Sequence, residues 1–170
     1  IDVLFVGSML QRRKDILNQL KIHFNLAISN VFGNEMSKLF NRSKIVLNIH
    51  AQEFLDTETR IFEALGCGAF IISEKLSSEN PFIPGKHYIE VDNLEDMKNK
   101  INYYLKNDVE REKIAYSGYK EAIKNHSYEI RAKEFIDYFY CHTGKSTSSA
   151  FSTTKLTFYS QIEKVLNQIR

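Results

Sequence analysis

The sequence is poor in cysteine: Cys67 and Cys141 are the only two in 170 residues. They lie far apart and neither belongs to a Cys-x-x-Cys pair, which argues against a zinc site or a thioredoxin-like redox centre. So few thiols fit a reducing compartment. No apolar run approaches the roughly 20 residues that a membrane-spanning helix needs, and no signal peptide is visible. Ile1 to Val6 read as a strand with no preceding leader or Met, so the expectation is a fragment that begins inside a larger protein. Charge of one sign is also lacking. Lys and Arg number 23 against 21 Asp and Glu, a formal net charge of +2. A nucleic-acid binder normally carries a clustered basic excess, so none is expected as a partner. The phosphate-binding fingerprints are missing too. There is no Gly-x-Gly-x-x-Gly turn and no Walker A loop. Gly144-Lys145-Ser146 has the ending of a Walker A loop but not the upstream glycine, the preceding strand or the following helix.

What is present is an ordinary globular balance, 43% hydrophobic and 26% charged, in a chain long enough to bury a core without disulfides or metals. Short β-rich runs alternate with longer helical ones, which predicts an α/β domain: a parallel sheet with helices on both faces, followed by C-terminal helices. Strands are expected at Ile1–Val6, Phe24–Val31, Lys44–His50, Ala69–Ser73 and His87–Val91. Helices are expected near Arg12–Leu20, Glu35–Asn41, Glu58–Leu65, from Asn93 onward, and at Val109–Asn125 and Tyr128–Tyr140. Pro81 and Pro84 share one loop before the fifth strand. The boundaries so read are a domain over 1–142, a Ser/Thr-rich linker over 143–155 and a final amphipathic helix over 156–170.

In an open parallel sheet, ligands bind beyond the carboxyl ends of the strands. That directs attention to Gly7-Ser8, Phe32-Gly33, His50, Ser73-Glu74 and the helix start near Thr57 to Arg60. The first turn combines a glycine, which permits close backbone approach, with Arg12 and Arg13 at a helix N-terminus. Free N–H groups and guanidinium groups there suit a diphosphate, although a solvated basic helix start gives the same pattern. In the stretch Glu58 to Phe70, helical spacing brings Arg60 and Glu63 to one face, with Thr59 close to Glu63. A carboxylate in the first turn of such a helix can accept two hydrogen bonds from vicinal hydroxyls, as on a ribose. Read on spacing alone, the pair is better taken as a surface ion pair worth well under about 1 kcal/mol.

Three blocks, in order, carry a family resemblance: Leu4-Phe5-Val6-Gly7-Ser8, Ser43 to His50, and Thr59-Arg60-Ile61-Phe62-Glu63-Ala64-Leu65-Gly66-Cys67-Gly68-Ala69-Phe70. Together they resemble the C-terminal, donor-binding domain of GT-B glycosyltransferases of the glycosyl transferase group 1 superfamily, in particular its spore-maturation-protein-like branch. The likeness runs from Ile1 to about Tyr140. It implies a Rossmann-like fold, a nucleoside-diphosphate sugar as substrate, and no cofactor or metal. It further implies an acceptor (saccharide, lipid or protein) held by an N-terminal domain outside this sequence, so that the fragment alone binds donor without transferring sugar. By the same resemblance Glu63 binds the ribose, Gly7 and Ser8 approach the diphosphate, and either Arg12 or Arg13 neutralises it. Phe32 and Gly33 fall at the nucleobase, and His50, Thr59 and Arg60 face the donor. The chemistry so implied is electrostatic stabilisation of a departing diphosphate. It agrees with the lack of an Asp-x-Asp pair.

One position departs from the pattern. Many retaining members carry a glutamate eight residues before the ribose glutamate, and Leu55 stands there, with Asp56 and Glu58 nearby but out of register. The competing reading is therefore a degenerate, non-catalytic transferase domain that serves protein contact. A receiver-like signalling domain shares the fold class but lacks the acidic cluster after the first strand. The implied location is cytoplasmic, with peripheral contact at the inner face of a membrane left open. His23, His87, His126 and His142 show no ligand spacing and read as surface or satisfied side chains. Cys67 reads as structural. The tyrosines at 103, 104, 138 and 140 read as core or half-buried, and the basic residues from Arg111 to Lys133 as a solvated helix face.

Overall fold

The computed structural model describes residues 1–52 and 57–143. Leu55 and Asp56, the Gly144-Lys145-Ser146 stretch, the Ser/Thr-rich segment beyond Thr143 and the expected helix at 156–170 lie outside the described residues. The chain divides into two compact units, Ile1–Ser127 and Tyr128–Arg170.

The first unit alternates strands and helices: β1 (Val3–Val6), α1 (Gln11–Lys21), β2 (Leu26–Ser29), α2 (Gly33–Asn41), β3 (Ile45–Asn48), α3 (Thr59–Gly66), β4 (Ile71–Glu74), β5 (Ile89–Val91), α4 (Leu94–Tyr104) and α5 (Asp108–Asn125). The sheet order is β2-β1-β3-β4-β5, and every neighbouring pair is parallel. This is the α/β, Rossmann-like architecture that the alternating pattern predicts.

The strands are mostly apolar because helices cover both faces, with polar residues such as Asn48, Ser73 and Glu74 toward the carboxyl ends of β3 and β4. Along β1 the side chains alternate between two cores. Val3 and Phe5 join Leu17 and Leu20 of α1 and Met97 and Ile101 of α4. Leu4 and Val6 join Met36 and Phe40 of α2, Ile61 and Leu65 of α3, and Ala122 of α5. Strand β3 divides the same way, with Ile45 and Leu47 in the first core and Val46 in the second. Each of the Val, Leu, Ile, Phe and Met side chains buried in this way contributes about 1.5–3 kcal/mol.

Helix α3 lies close against α5 at Gly118. A Cβ on Gly118 would come within 2.5 Å of the His87 carbonyl oxygen and 2.6 Å of Leu65 Cδ2, so only glycine fits at this contact.

Two expectations about single side chains need correction. Tyr104 is buried and Tyr103 half-buried as expected, but Tyr138 is 64% exposed. Arg111 does not belong to a solvated face: it is 7% exposed and donates to the Tyr104 carbonyl at 2.7 Å and to Asp108 at 2.6 Å. It thereby satisfies an end carbonyl of α4 that lacks an intrahelical partner.

The described part of the second unit is one helix, α6 (Tyr128–Thr143). It carries an Arg131–Glu134 ion pair at 2.7 Å, one turn apart.

Candidate functional site

The strand order decides where a crevice opens. From β1 the chain crosses through α1 to β2 on one side, then returns over β1 to β3 and continues outward to β4 and β5. Helix α1 packs in the first core and α3 in the second. The segments leaving β1 and β3 therefore diverge to opposite faces. Ligands bind at such a switch point in open α/β sheets.

A crevice of about 230 Å³ lies at this place, lined by the ends of β1 and β3, by Asn30 and Phe32 after β2, and by Arg13, Glu58 and Arg60. Gly7 forms its floor with φ +156°, and a Cβ there would meet Phe5 Cζ at 3.2 Å and Arg13 Nη1 at 3.7 Å. Phe32, 71% exposed, stands at the rim as an uncovered ring.

The crevice is charged, and the charges are tied down. Arg13 is 6% exposed. Its Nε donates to the Ile49 carbonyl at 2.8 Å, its Nη1 to Ser8 Oγ at 3.2 Å, and its Nη2 to both Glu58 oxygens at 2.8 and 2.9 Å. The guanidinium carbon lies 5.5 Å from the Phe5 ring centroid, within cation–π reach. Glu58 occupies the N-cap position of α3, but its side chain makes no capping bond back to the helix. Arg12 points elsewhere: it donates to Glu74 at 2.9 and 2.5 Å and to the His50 carbonyl at 3.0 Å. Of the two candidate phosphate arginines, Arg13 is the one that lines the crevice.

Behind this pair sits His50, 5% exposed. Its Nε2 lies 2.8 Å from the Lys75 carbonyl, which fixes the proton on Nε2. Its Nδ1 is 3.9 Å from Glu58 Oε1 and has no hydrogen-bond partner among the described residues. The Glu58 carboxylate raises the proton affinity of His50, against the opposing effect of burial and with help from the Lys75 carbonyl and Glu74. For Glu58 burial works against ionisation, yet His50 and Arg13 outweigh it and hold the carboxyl below its ordinary value.

The remaining predicted residues fall around this crevice. Gly7, Ser8, Phe32 and Arg60 line it, whereas Arg12, Gly33, His50, Thr59 and Glu63 do not. Arg60 contacts Met36 Sδ and lies 3.7 Å from Glu63 Oε2, as the helical spacing predicts. Glu63 is the fifth residue of α3, one turn further in than a first-turn position, and its side chain is 37% exposed. Asn30 and Asn48 are not among the predicted site residues, and Glu58 falls in the predicted helix start without an assigned role. Each directly follows or ends a strand, or caps a helix, at the rim where ligands bind; that was the available signal. Asn48 is buried and donates to Ser73 Oγ at 2.9 Å. Cys67 Sγ rests 3.5 Å from Ser37 Oγ, and His87 Nδ1 accepts from the Ile83 amide at 3.2 Å, consistent with structural roles. Among the described residues no three His, Cys, Asp or Glu side chains form a metal-sized group, and no helix is long and apolar enough to cross a membrane.

An uncharacterised protein of Acanthamoeba polyphaga mimivirus is 38% identical over 89 residues, covering 51% of this chain and 30% of that protein. Anabaena HepE, solved in complex with UDP, superposes with TM-score 0.62 at 14% identity, covering 82% of this chain and 40% of HepE. A glycosyltransferase of Rickettsia africae gives TM-score 0.65 at 14% identity over 86% of this chain and 49% of its own. The catalytic domain of the Helicobacter pylori cholesterol-α-glucosyltransferase gives 0.54 at 21% identity, covering 72% and 78%. The chain thus spans under a third of the curated relative and under half of the first two structures; at these identities the structural likeness speaks for the fold. The sequence matches the glycosyl transferase-like family over residues 7–137, most of the chain. The chain therefore belongs to the glycosyl transferase-like family, and its first unit is a Rossmann-like domain of the GT-B type.

Proposed function

We propose that the first unit is the donor-binding half of a glycosyltransferase, taking a nucleoside-diphosphate sugar in the crevice between β1 and β3. The observation that supports this best is the crevice itself. It combines a glycine that lets a phosphate approach the main chain, a buried guanidinium at Arg13, a partly buried one at Arg60 and an exposed ring at Phe32. In this reading the diphosphate lies over Gly7 and Ser8 beside Arg13. The base stacks on Phe32 near Gly33, and Glu63, next to Arg60, receives the ribose hydroxyls with Thr59 at its side. Arg12 and His50 act from behind the crevice, through Glu74 and Glu58. The arginines and the main-chain N–H groups would stabilise the departing diphosphate without a metal ion. The acceptor and any catalytic base belong to an N-terminal domain of a longer protein, so this fragment alone binds donor and does not transfer sugar.

A second reading, a degenerate domain that only contacts protein, draws on one observation: Glu58 already neutralises Arg13. Calorimetry and ligand-observed NMR against UDP, GDP, TDP and their sugars separate the two. The donor-site reading predicts binding in the micromolar to millimolar range, lost in Arg60→Ala and Glu63→Ala while both variants stay folded. Failure of every nucleotide at millimolar concentration on folded protein refutes it.

A further inference from the structure

We infer that His50 is a proton-responsive positioning residue that sets the charge of the crevice by drawing Glu58 away from Arg13. The inference rests on the donor-site reading above and adds a control to it.

The geometry carries the argument. The His50 ring is held at one end, Nε2 on the Lys75 carbonyl at 2.8 Å. The proton on Nε2 leaves Nδ1 as a bare lone pair. That lone pair is buried, has no hydrogen-bond partner among the described residues, and faces Glu58 Oε1 at 3.9 Å. Two acceptors facing each other repel, so with neutral His50 both Glu58 oxygens go to Arg13 and the guanidinium is neutralised. A proton on Nδ1 reverses this contact. The imidazolium becomes a donor less than 1 Å beyond normal hydrogen-bond length, and the Glu58 carboxylate is shared between two cations. The cluster then carries one more positive charge, and Arg13 turns more of its field to the crevice.

The other charges that face His50 are accounted for. Glu74, at the end of β4, accepts from the His50 amide at 2.7 Å and favours the protonated ring. Arg12 and Arg13, both from α1, oppose it; they donate to the His50 and Ile49 carbonyls. Arg12 is itself paired with Glu74 and Arg13 with Glu58, so the carboxylates offset both cations. The Glu58 contact, together with the Lys75 carbonyl and Glu74, raises the ring's proton affinity above its ordinary value despite burial. Linkage makes the effect reciprocal: an anion that binds more tightly to the protonated form also raises the proton affinity of His50.

The test uses UDP-glucose and GDP-mannose, whose diphosphate diesters do not change charge between pH 5.5 and 8.5, so that any pH dependence belongs to the protein. Affinity is measured by calorimetry on the 170-residue chain and on His50→Gln. The His50 ring proton is followed by NMR, without ligand, in the parent and in Glu58→Gln. The expected result is binding about five-fold tighter or more at pH 6 than at pH 8 in the parent and a flat profile in His50→Gln. In the titration, the His50 midpoint falls on Glu58→Gln. Binding that is flat with pH in the parent, or a pH dependence that survives in His50→Gln, overturns the inference and leaves the donor-site reading standing. An unchanged His50 midpoint in Glu58→Gln overturns it as well. No binding of either sugar nucleotide at any pH refutes the donor-site reading, and the inference falls with it.

Discussion

Replacing Glu58 with glutamine moves stability and affinity in opposite directions. In the parent, both Glu58 oxygens accept from Arg13 Nη2 at 2.8 and 2.9 Å, with the two side chains 24% and 8% exposed. Removing one partner from a fully buried ion pair costs about 3–5 kcal/mol. Here the loss is smaller for three reasons. Glutamine keeps one acceptor, a quarter of the Glu58 side chain already meets water, and Arg13 retains the Ile49 carbonyl and Ser8. The expected cost is about 1–3 kcal/mol, that of a charged hydrogen bond. For a unit of this size that lowers the melting temperature by about 4–12 °C. The same change adds one positive charge to the crevice. An elementary charge about 4 Å from a phosphate contributes about 1 kcal/mol in a water-like environment, so sugar-nucleotide affinity rises about five-fold and falls back at high salt. Circular dichroism melts and calorimetry at two salt concentrations measure both effects. A variant that melts with the parent, or that binds more weakly, refutes the roles given to Arg13 and Glu58.

Gly118→Ala gains about 1 kcal/mol of helix propensity, yet its Cβ meets the His87 main chain at 2.5 Å; overpacking wins, and urea unfolding shows a net loss of about 1–3 kcal/mol. Glu63→Ala weakens donor binding at least ten-fold but leaves the melting temperature within about 4 °C, because a partly exposed ion pair at 3.7 Å contributes under about 1 kcal/mol. The His50–Glu58 pair also shapes stability against pH. His50, raised in the folded state, contributes fully below its ordinary 6.5, and that contribution is lost as pH rises through the higher folded value. Glu58, lowered, contributes above its ordinary 4.5 and loses this as pH falls through its folded value. The pair therefore stabilises most between 4.5 and 6.5. His87, lowered by burial, acts below 6.5, so a urea midpoint that falls between pH 6.5 and 8.5 in the parent and stays level in His50→Gln reports His50 alone.

The strands and helices of the first unit were legible because each carries its own periodic signal. The continuous apolar runs at Val3–Val6 and Ile45–Leu47 announce strands covered on both faces, and the alternation with helices announces a parallel sheet. The strand order was not legible, since nothing local to β1 or β3 says that they are neighbours. Yet this pairing creates the switch-point crevice. The choice between Arg12 and Arg13 shows the same limit. Adjacent residues on a helix start look alike in sequence, and only the packing of α1 sends Arg13 inward to Ile49 and Arg12 across to Glu74. The role of Glu58 is not legible in the sequence, because its register to Glu63 says nothing of a partner 45 positions away. Arg111 misled in a similar way, since its spacing among acidic residues fits a solvated face while its actual partner is the carbonyl end of the preceding helix.

Amide chemical-shift mapping with UDP-glucose, GDP-mannose and TDP-glucose tests the donor-site account most directly. The account predicts that at least one of them shifts the amides of Gly7, Ser8, Asn30, Phe32 and Asn48 together, saturably, at millimolar concentration or below. Shifts confined to other surfaces, or none at all on folded protein, would contradict it.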